Sequence, residues 1–306
     1  MTYDLIIIGG GPAGTAGAVY AARKQLKTLM IVAEWGGQSS VSENIENWIG
    51  TPAISGADLA KSFQNHIEKN TGEFLEIKNG LKATKVEKNG ENFIVETEDG
   101  QKFESRTILA TAGSSRRKLD MPGAVEFENK GITYCASCDG PLFAGQDVAV
   151  IGAGNAGFET VAQLLAYCKS VTLINRHDTF KADEITVKKV LANPKVNVIK
   201  NAEFVKITGE KFVNGIVYKE NGEEKTLPVT GVFVEIGQIP NTDMVKGLVD
   251  MDEFNRIKVD PKTQMTSLPG IWSAGDCTDG LYHQNNIAAG DAVKALENLY
   301  LYLHAK

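Results

Sequence analysis

The stretch DLIIIGGGPAG, residues 4–14, decides the fold. Its apolar run from Leu5 to Ile8 suits a parallel strand covered on both faces, and the alanine-rich segment TAGAVYAARKQ that follows has helical character. In the order strand, glycine turn, helix, the pattern Gly9-x-Gly11-x-x-Gly14 reads as a dinucleotide fingerprint. The first glycine permits the sharp turn, and the second lets backbone N–H groups approach a pyrophosphate. The third lets helix pack on strand, and Pro12 and Ala13 open a helix whose N-terminus faces the anion. The next apolar segment, LKTLMIVAE, ends in Glu34, where a carboxylate accepts hydrogen bonds from ribose hydroxyls.

The same plan recurs 143 positions later, from Gly9 to Gly152, in DVAVIGAGNAGFETVAQLLAYC, with a second fingerprint formed by Gly152, Gly154, Asn155, Ala156 and Gly157. Its second strand, VTLIN, ends in Asn175, Arg176 and His177 instead of an acid. A carboxylate there would favour the free ribose hydroxyl of NADH. Arg176, His177 and Lys181 instead suit a 2′-phosphate, so this half favours NADPH over NADH. Each copy is followed by alternating segments punctuated by NG and DG, as antiparallel hairpins require. The polar SSRRKLDMPG at 114–123 marks a boundary, and the tail after residue 244 lacks the material for a third domain. The expected architecture is α/β, with two Rossmann-like three-layer domains, the second (116–244) inserted into the first (1–115 and 245–306).

Composition narrows the function. With 32 Lys and Arg against 38 Asp and Glu, the formal charge of -6 offers no global field for nucleic acid. No apolar run approaches the roughly 20 residues of a membrane span. The opening residues enter a strand too early to form a signal peptide, so a cytoplasmic protein is expected. Of four cysteines, Cys135 and Cys138 form a CxxC, which in a reducing compartment means a metal site or a redox pair. A zinc site would want a second matching pair, which His177 and His283 do not supply, so no metal is expected. Asp139 is the nearest acid/base for the dithiol. Cys168 reads as a core residue, and Cys277 is given no redox role. Two nucleotide sites and one dithiol make an electron path from NAD(P)H through FAD to a disulfide.

These residues resemble the low-molecular-weight thioredoxin reductase family along nearly the whole chain. The resemblance is carried by GGGPAG, EWGGQ (34–38), ENIENWIG (43–50), ILATAG (108–113), GITYCASCDGPLF (131–143), GAGNAGFE (152–159), FVEIGQIPNT (233–242) and SAGDCTD (273–279). Several are also similar to the flavoprotein subunit of alkyl hydroperoxide reductase, without its N-terminal extension. The resemblance implies a flavin domain holding FAD with Gly9, Gly11, Gly14, Glu34, Gly37, Gln38, Asn47, Asp276 and Gln284, to which Pro12, Ala13, Thr111, Gly275 and His283 are added. It implies that Cys135 attacks a partner disulfide, that Cys138 sits against the flavin and that Asp139 moves the proton. It also implies a homodimer whose domains swing, and thioredoxin or a similar small dithiol protein as substrate. Relatives serving a peroxiredoxin through such a carrier, or fed by ferredoxin, are the alternatives. The chain departs from the family pattern at Thr111-Ala112-Gly113, at Asn175-Arg176-His177 with Lys181, and at His283-Gln284.

Overall fold

The computed structural model describes residues 2–42 and 45–304, leaving Glu43 and Asn44 of the ENIENWIG motif outside the described residues. The chain divides into two compact units, 1–115 with 239–306 and 116–238.

The first unit starts from β1 (Thr2–Gly10), whose Leu5, Ile6 and Ile7 are fully buried. An apolar run with no polar alternation can only be satisfied between two covering layers, and β1 has both. Helix α1 (Pro12–Arg23) returns the chain to β2 (Thr28–Trp35), parallel to β1 with Leu5 opposite Thr28 and Ile8 opposite Ile31. Helix α2 (Gly56–Glu68) is capped by Ser55, whose Oγ accepts from the Asp58 N–H at 3.0 Å, and leads to the parallel edge strand β3 (Leu75–Asn79). A meander follows, β4 (Ala83–Asn89), β5 (Asn92–Thr97) and β6 (Lys102–Ala110), with Gly90 and Gly100 supplying positive φ at the two turns. Strand β6 pairs antiparallel with β5 over Lys102–Ser105 and, on its other edge, parallel with β1 over Glu104–Ala110.

The chain leaves through β7 (Ser114–Arg116) and builds the second unit from β8 (Ile132–Thr133), α3 (Ala136–Asp139), β9 (Asp147–Ile151), α4 (Asn155–Leu164), β10 (Ser170–Ile174), α5 (Glu184–Leu191) and β11 (Val196–Ile199). A second meander, β12 (Glu203–Gly209), β13 (Val213–Glu220) and β14 (Glu223–Leu227), precedes β15 (Gly231–Val234). The sheet runs β11-β10-β9-β15-β8 with every pair parallel. Phe158, Val161 and Leu164 of α4 cover one face, and Ile207, Val213 and Ile216 of the meander cover the other.

The return crossing, β16 (Gln238–Pro240), pairs with β7. Met244 and Val245 are already buried in the core of the first unit. Strand β17 (Ile271–Ser273) then runs parallel to the second half of β6, and α6 (Asn285–His304) lays Ala292, Ala295, Leu296 and Leu299 in one core with α1 and with Leu5 and Ile7 of β1. Each unit is a three-layer α/β fold of Rossmann type. Among the described residues no helix is long and apolar enough to cross a membrane.

Trp272 locks this last segment. It is fully buried, donates from Nε1 to Asn298 Oδ1 of α6 at 3.0 Å and meets the Tyr302 ring edge-on at 5.3 Å. Trp272→Ala is expected to cost about 3–5 kcal/mol, measured by chemical denaturation; a loss below about 1 kcal/mol would show that α6 is held by other contacts.

Candidate functional site

In the first unit the expected flavin-binding residues gather at the carboxyl ends of the parallel strands, where open α/β sheets bind ligands. Gly9 has φ +123°, and a Cβ on it would strike the Thr111 carbonyl; a Cβ on Gly14 would strike the carbonyl of Gly9. These two positions let α1 dock on the strand end. Gly11 differs. Its nearest neighbour would be Gly37 Cα at 3.9 Å, and from Gly37 the nearest is Gly11 Cα at 3.7 Å. Two glycines thus face one another across a lane that any side chain would enter. Among the described residues no side chain caps α1, Pro12 has no N–H to satisfy, and the next amides are left for a ligand. A pyrophosphate fits this cradle.

The remaining residues of the set surround it. Glu34 is exposed at the end of β2. Gly275, φ +80°, wedges between α1 and α6, where a Cβ would stand 3.4 Å from Ala13 and 3.3 Å from Ala288. His283 Nδ1 lies 3.5 Å from Asp276 Oδ1. Asn47 Nδ2 donates to Gln284 Oε1 at 3.3 Å, Asn286 Nδ2 donates to the Asn47 carbonyl at 2.7 Å, and Ser39 Oγ bonds Asn285 Oδ1 at 2.8 Å. The entry of α6 is thereby laced to the segment after β2. Gln38 Nε2 donates to Ser114 Oγ at 2.8 Å. Thr111 returns its hydroxyl to the Ile8 carbonyl at 2.8 Å. The departure at Ala112 is accommodated, because the left-handed residue of that turn is Gly113, φ +65°, and Ala112 packs against the core. Sequence reasoning missed Ser39, Asn285 and Asn286, since amides and hydroxyls in loops carry no periodic signal.

The second unit repeats the cradle. A Cβ on Gly152 would strike the Glu235 carbonyl, one on Gly157 would strike the carbonyl of Gly152, and one on Gly154 would meet only the Lys181 carbonyl at 3.6 Å. Helix α4 also has no side-chain cap among the described residues. The 181–183 segment clamps the glycine loop, with the Lys181 N–H donating to the Ala153 carbonyl at 3.0 Å and the Asp183 N–H to Asn155 Oδ1 at 2.8 Å. Asn175 is buried and donates from Nδ2 to the Thr179 carbonyl at 2.8 Å, so it shapes the turn. Arg176, His177 and Lys181 are exposed, and the Arg176 guanidinium lies 5.2 Å over the Phe204 ring. Ala156, in the first turn of α4, lies between these clamps and Gly157.

The dithiol belongs to this unit. Cys135 and Cys138 are joined by a disulfide with Cα atoms 5.3 Å apart, at the start of the short helix α3. Both are partly buried. The Asp139 N–H donates to the Cys135 carbonyl at 3.0 Å, which closes the turn. Thr133, which sequence reasoning missed, ties acid to dithiol: its hydroxyl donates to Asp139 Oδ2 and accepts from the Cys135 N–H at 3.3 Å. Ser137 Oγ donates to Gln163 Oε1 of α4 at 2.9 Å, fixing α3 to the helix that follows the fingerprint. Cys168 and Cys277 are buried free thiols, both pushed up by burial, as structural cysteines are.

Comparison with known proteins supports the same chemistry. The family model described as pyridine nucleotide-disulphide oxidoreductase matches residues 3–292. An NADH dehydrogenase of Bacillus subtilis (strain 168) is 41% identical over 98% of this chain and 58% of its own length. An alkyl hydroperoxide reductase component of Staphylococcus aureus (strain MRSA252) is 37% identical over 98% of this chain and 59% of its own. This chain therefore spans less than three fifths of the length of these relatives. The solved thioredoxin reductase from Streptococcus pyogenes MGAS5005 superposes with a TM-score of 0.90 at 34% identity, covering 100% of this chain and 99% of that one.

The facing glycines generate a test that separates binding from folding. Gly11→Val is expected to leave apoprotein stability within about 0.5 kcal/mol, while FAD retained through purification falls at least about tenfold. Gly14→Val, which collides with backbone, is expected to lose several kcal/mol. Full flavin content in Gly11→Val would show that the lane holds no ligand.

Proposed function

The chain belongs to the pyridine nucleotide-disulphide oxidoreductases, and from that premise we propose that it reduces the disulfide of a small thioredoxin-like protein. FAD would be held in the first unit by Gly9, Gly11, Gly14, Glu34 and their neighbours, and the pyridine nucleotide in the second by Gly152, Gly154 and Gly157. When bound, flavin accepts a hydride from reduced nicotinamide and supplies two electrons to a disulfide. The observation that carries the reading is the Cys135–Cys138 disulfide with an acid held beside it by Thr133.

The work of the chain's own residues follows from that geometry. Two electrons delivered to the Cys135–Cys138 bond break it and leave two sulfurs, one as thiolate and one protonated. Cys135 attacks the disulfide of the carrier, forming a mixed disulfide and expelling the carrier's second sulfur as thiolate. Cys138 then displaces the carrier, restoring the starting disulfide and releasing the carrier as dithiol. Asp139 is the proposed proton donor and acceptor at these sulfurs, and Thr133 holds its carboxyl to the Cys135 backbone.

The exposed Arg176, His177 and Lys181 support NADPH as the preferred coenzyme. The relative named NADH dehydrogenase supports NADH in its place. The relative named for alkyl hydroperoxide reductase supports a carrier that serves a peroxiredoxin. We place the activity in the cytoplasm, as a homodimer.

Anaerobic NADPH or NADH is expected to bleach the flavin, and added thioredoxin to restore its colour. Cys138→Ser should lose thioredoxin reduction altogether, Asp139→Asn about 100-fold in kcat, and Thr133→Val about tenfold, with flavin reduction by coenzyme retained in all three. Unchanged thioredoxin turnover in Cys138→Ser would falsify the dithiol route.

A further inference from the structure

The duplicated plan permits a comparison of one position in its two copies. In the first unit the last pair between β1 and β6 is Ile8 with Ala110, so the next residues, Gly9 and Thr111, stand side by side. In the second unit the last pair between β9 and β15 is Ile151 with Val234, followed by Gly152 and Glu235. The backbone is equivalent: Thr111 N–H donates to the Ile8 carbonyl at 2.9 Å, and Glu235 N–H to the Ile151 carbonyl at 2.8 Å. The side chains are not. Thr111 turns its hydroxyl onto its own sheet, whereas Glu235 places a carboxylate against α4, accepting from Thr160 Oγ at 2.8 Å.

That place has meaning in this topology. Strand β9 has β10 and β11 on one side and β15 and β8 on the other, so the chain reverses its winding between β9 and β15. A doubly wound sheet binds its ligand in the crevice outside the carboxyl ends of the strands at that reversal. Gly152 and Glu235 are the first residues beyond those ends. A carboxylate is a poor neighbour for a pyrophosphate carrying two negative charges.

We propose that Glu235 is a coenzyme-positioning residue of the second unit, and that the pyridine dinucleotide binds the form in which its carboxyl is protonated. The inference rests on the reading of this unit as the coenzyme domain. Protonation removes the repulsion and gives the carboxyl an O–H donor while its other oxygen can still accept from Thr160. The surroundings bring the change into the physiological range: burial, above all, pushes Glu235 up to about 7. The Thr160 hydrogen bond and the Arg116 charge draw it down, and the Glu159 charge adds to the rise. Below about pH 7 the site is neutral and ready. As pH rises through 7 the free enzyme loses that proton, and binding must recover it from solvent.

The test is calorimetric titration of oxidised holoenzyme with NAD+, whose ribose carries no titrating phosphate, in two buffers of different ionisation enthalpy. The dissociation constant is expected to rise about tenfold from pH 6 to pH 8, with uptake approaching one proton per site at pH 8. In Glu235→Gln it should change less than about twofold, with no proton uptake. Thr160→Val, which removes a bond that favours the ionised form, should move the midpoint to higher pH and serves where Glu235→Gln fails to fold. A pH slope and proton uptake that persist in Glu235→Gln, or a flat profile in the unaltered protein, overturn the proposal while leaving coenzyme binding intact. Failure of both NAD+ and NADP+ to bind at any pH overturns the coenzyme reading itself, and this inference with it.

Discussion

The structure depends on a contact that a single methyl group would forbid. In each unit the third glycine of the fingerprint brings its helix so close to the first that a Cβ would collide with a backbone carbonyl, Gly14 against Gly9 and Gly157 against Gly152. The first glycine of each presses equally on the neighbouring strand end, at Thr111 and at Glu235. These approaches set where each helix begins relative to the sheet. Because no side chain among the described residues caps either helix, the unsatisfied amides are delivered to the carboxyl edge of the sheet. The same constraint that fixes the packing therefore aims uncapped amides at one edge of the sheet, and it does so twice.

Much of this was legible in the residues because strong local signals agreed with the global fold. The apolar runs at Leu5–Ile8 and Val148–Ile151 have no polar alternation, so only a strand covered on both faces would satisfy them. The turns at Asn89-Gly90, Asp99-Gly100 and Asn221-Gly222 announce the meanders, because few other residues accept the backbone those turns demand. What stayed hidden was polar and long-range. Thr133 resembles any strand threonine, and its bond to Asp139 depends on the helical turn that swings the acid back over it. Asn286 and Asn47 lie 239 positions apart and meet only because α6 returns to the first unit. Glu235 was visible as part of FVEIGQIPNT, but its significance lies in which strands flank β15, and strand order has no local code.

The cysteines show the same division. CxxC spacing alone leaves metal and redox readings open, and the acid that follows it is often a turn residue. The structure distinguishes Asp139 from a simple cap: among the described residues its side chain caps no amide of the turn Gly140–Phe143 that follows it, and the carboxyl is engaged by the hydroxyl that also receives the Cys135 N–H. The Asp139 carboxyl and the Cys135 backbone are thus tied to a single oxygen. Cys168 and Cys277, by contrast, are buried as small apolar residues whose thiols burial pushes up, as structural cysteines are.

Duplication gives two sites of one shape, and what distinguishes them is where each keeps its negative charge. In the first unit the acid stands exposed at the end of the second strand, as Glu34, and the strand beside the first glycine ends in a hydroxyl that bonds its own backbone. In the second, the position at the end of the second strand is Asn175, spent on holding its turn, and the acid stands beside the first glycine as Glu235, partly buried. An exposed carboxyl is open to solvent and free to accept hydrogen bonds from a ligand. A shielded one holds its charge only against desolvation, so its ionisation responds to whatever binds next to it. A ligand kept through every turnover is served by the first arrangement, and one that comes and goes is served by the second. The asymmetry between Thr111 and Glu235 is therefore one that chemistry would impose on a chain holding one resident dinucleotide and exchanging another.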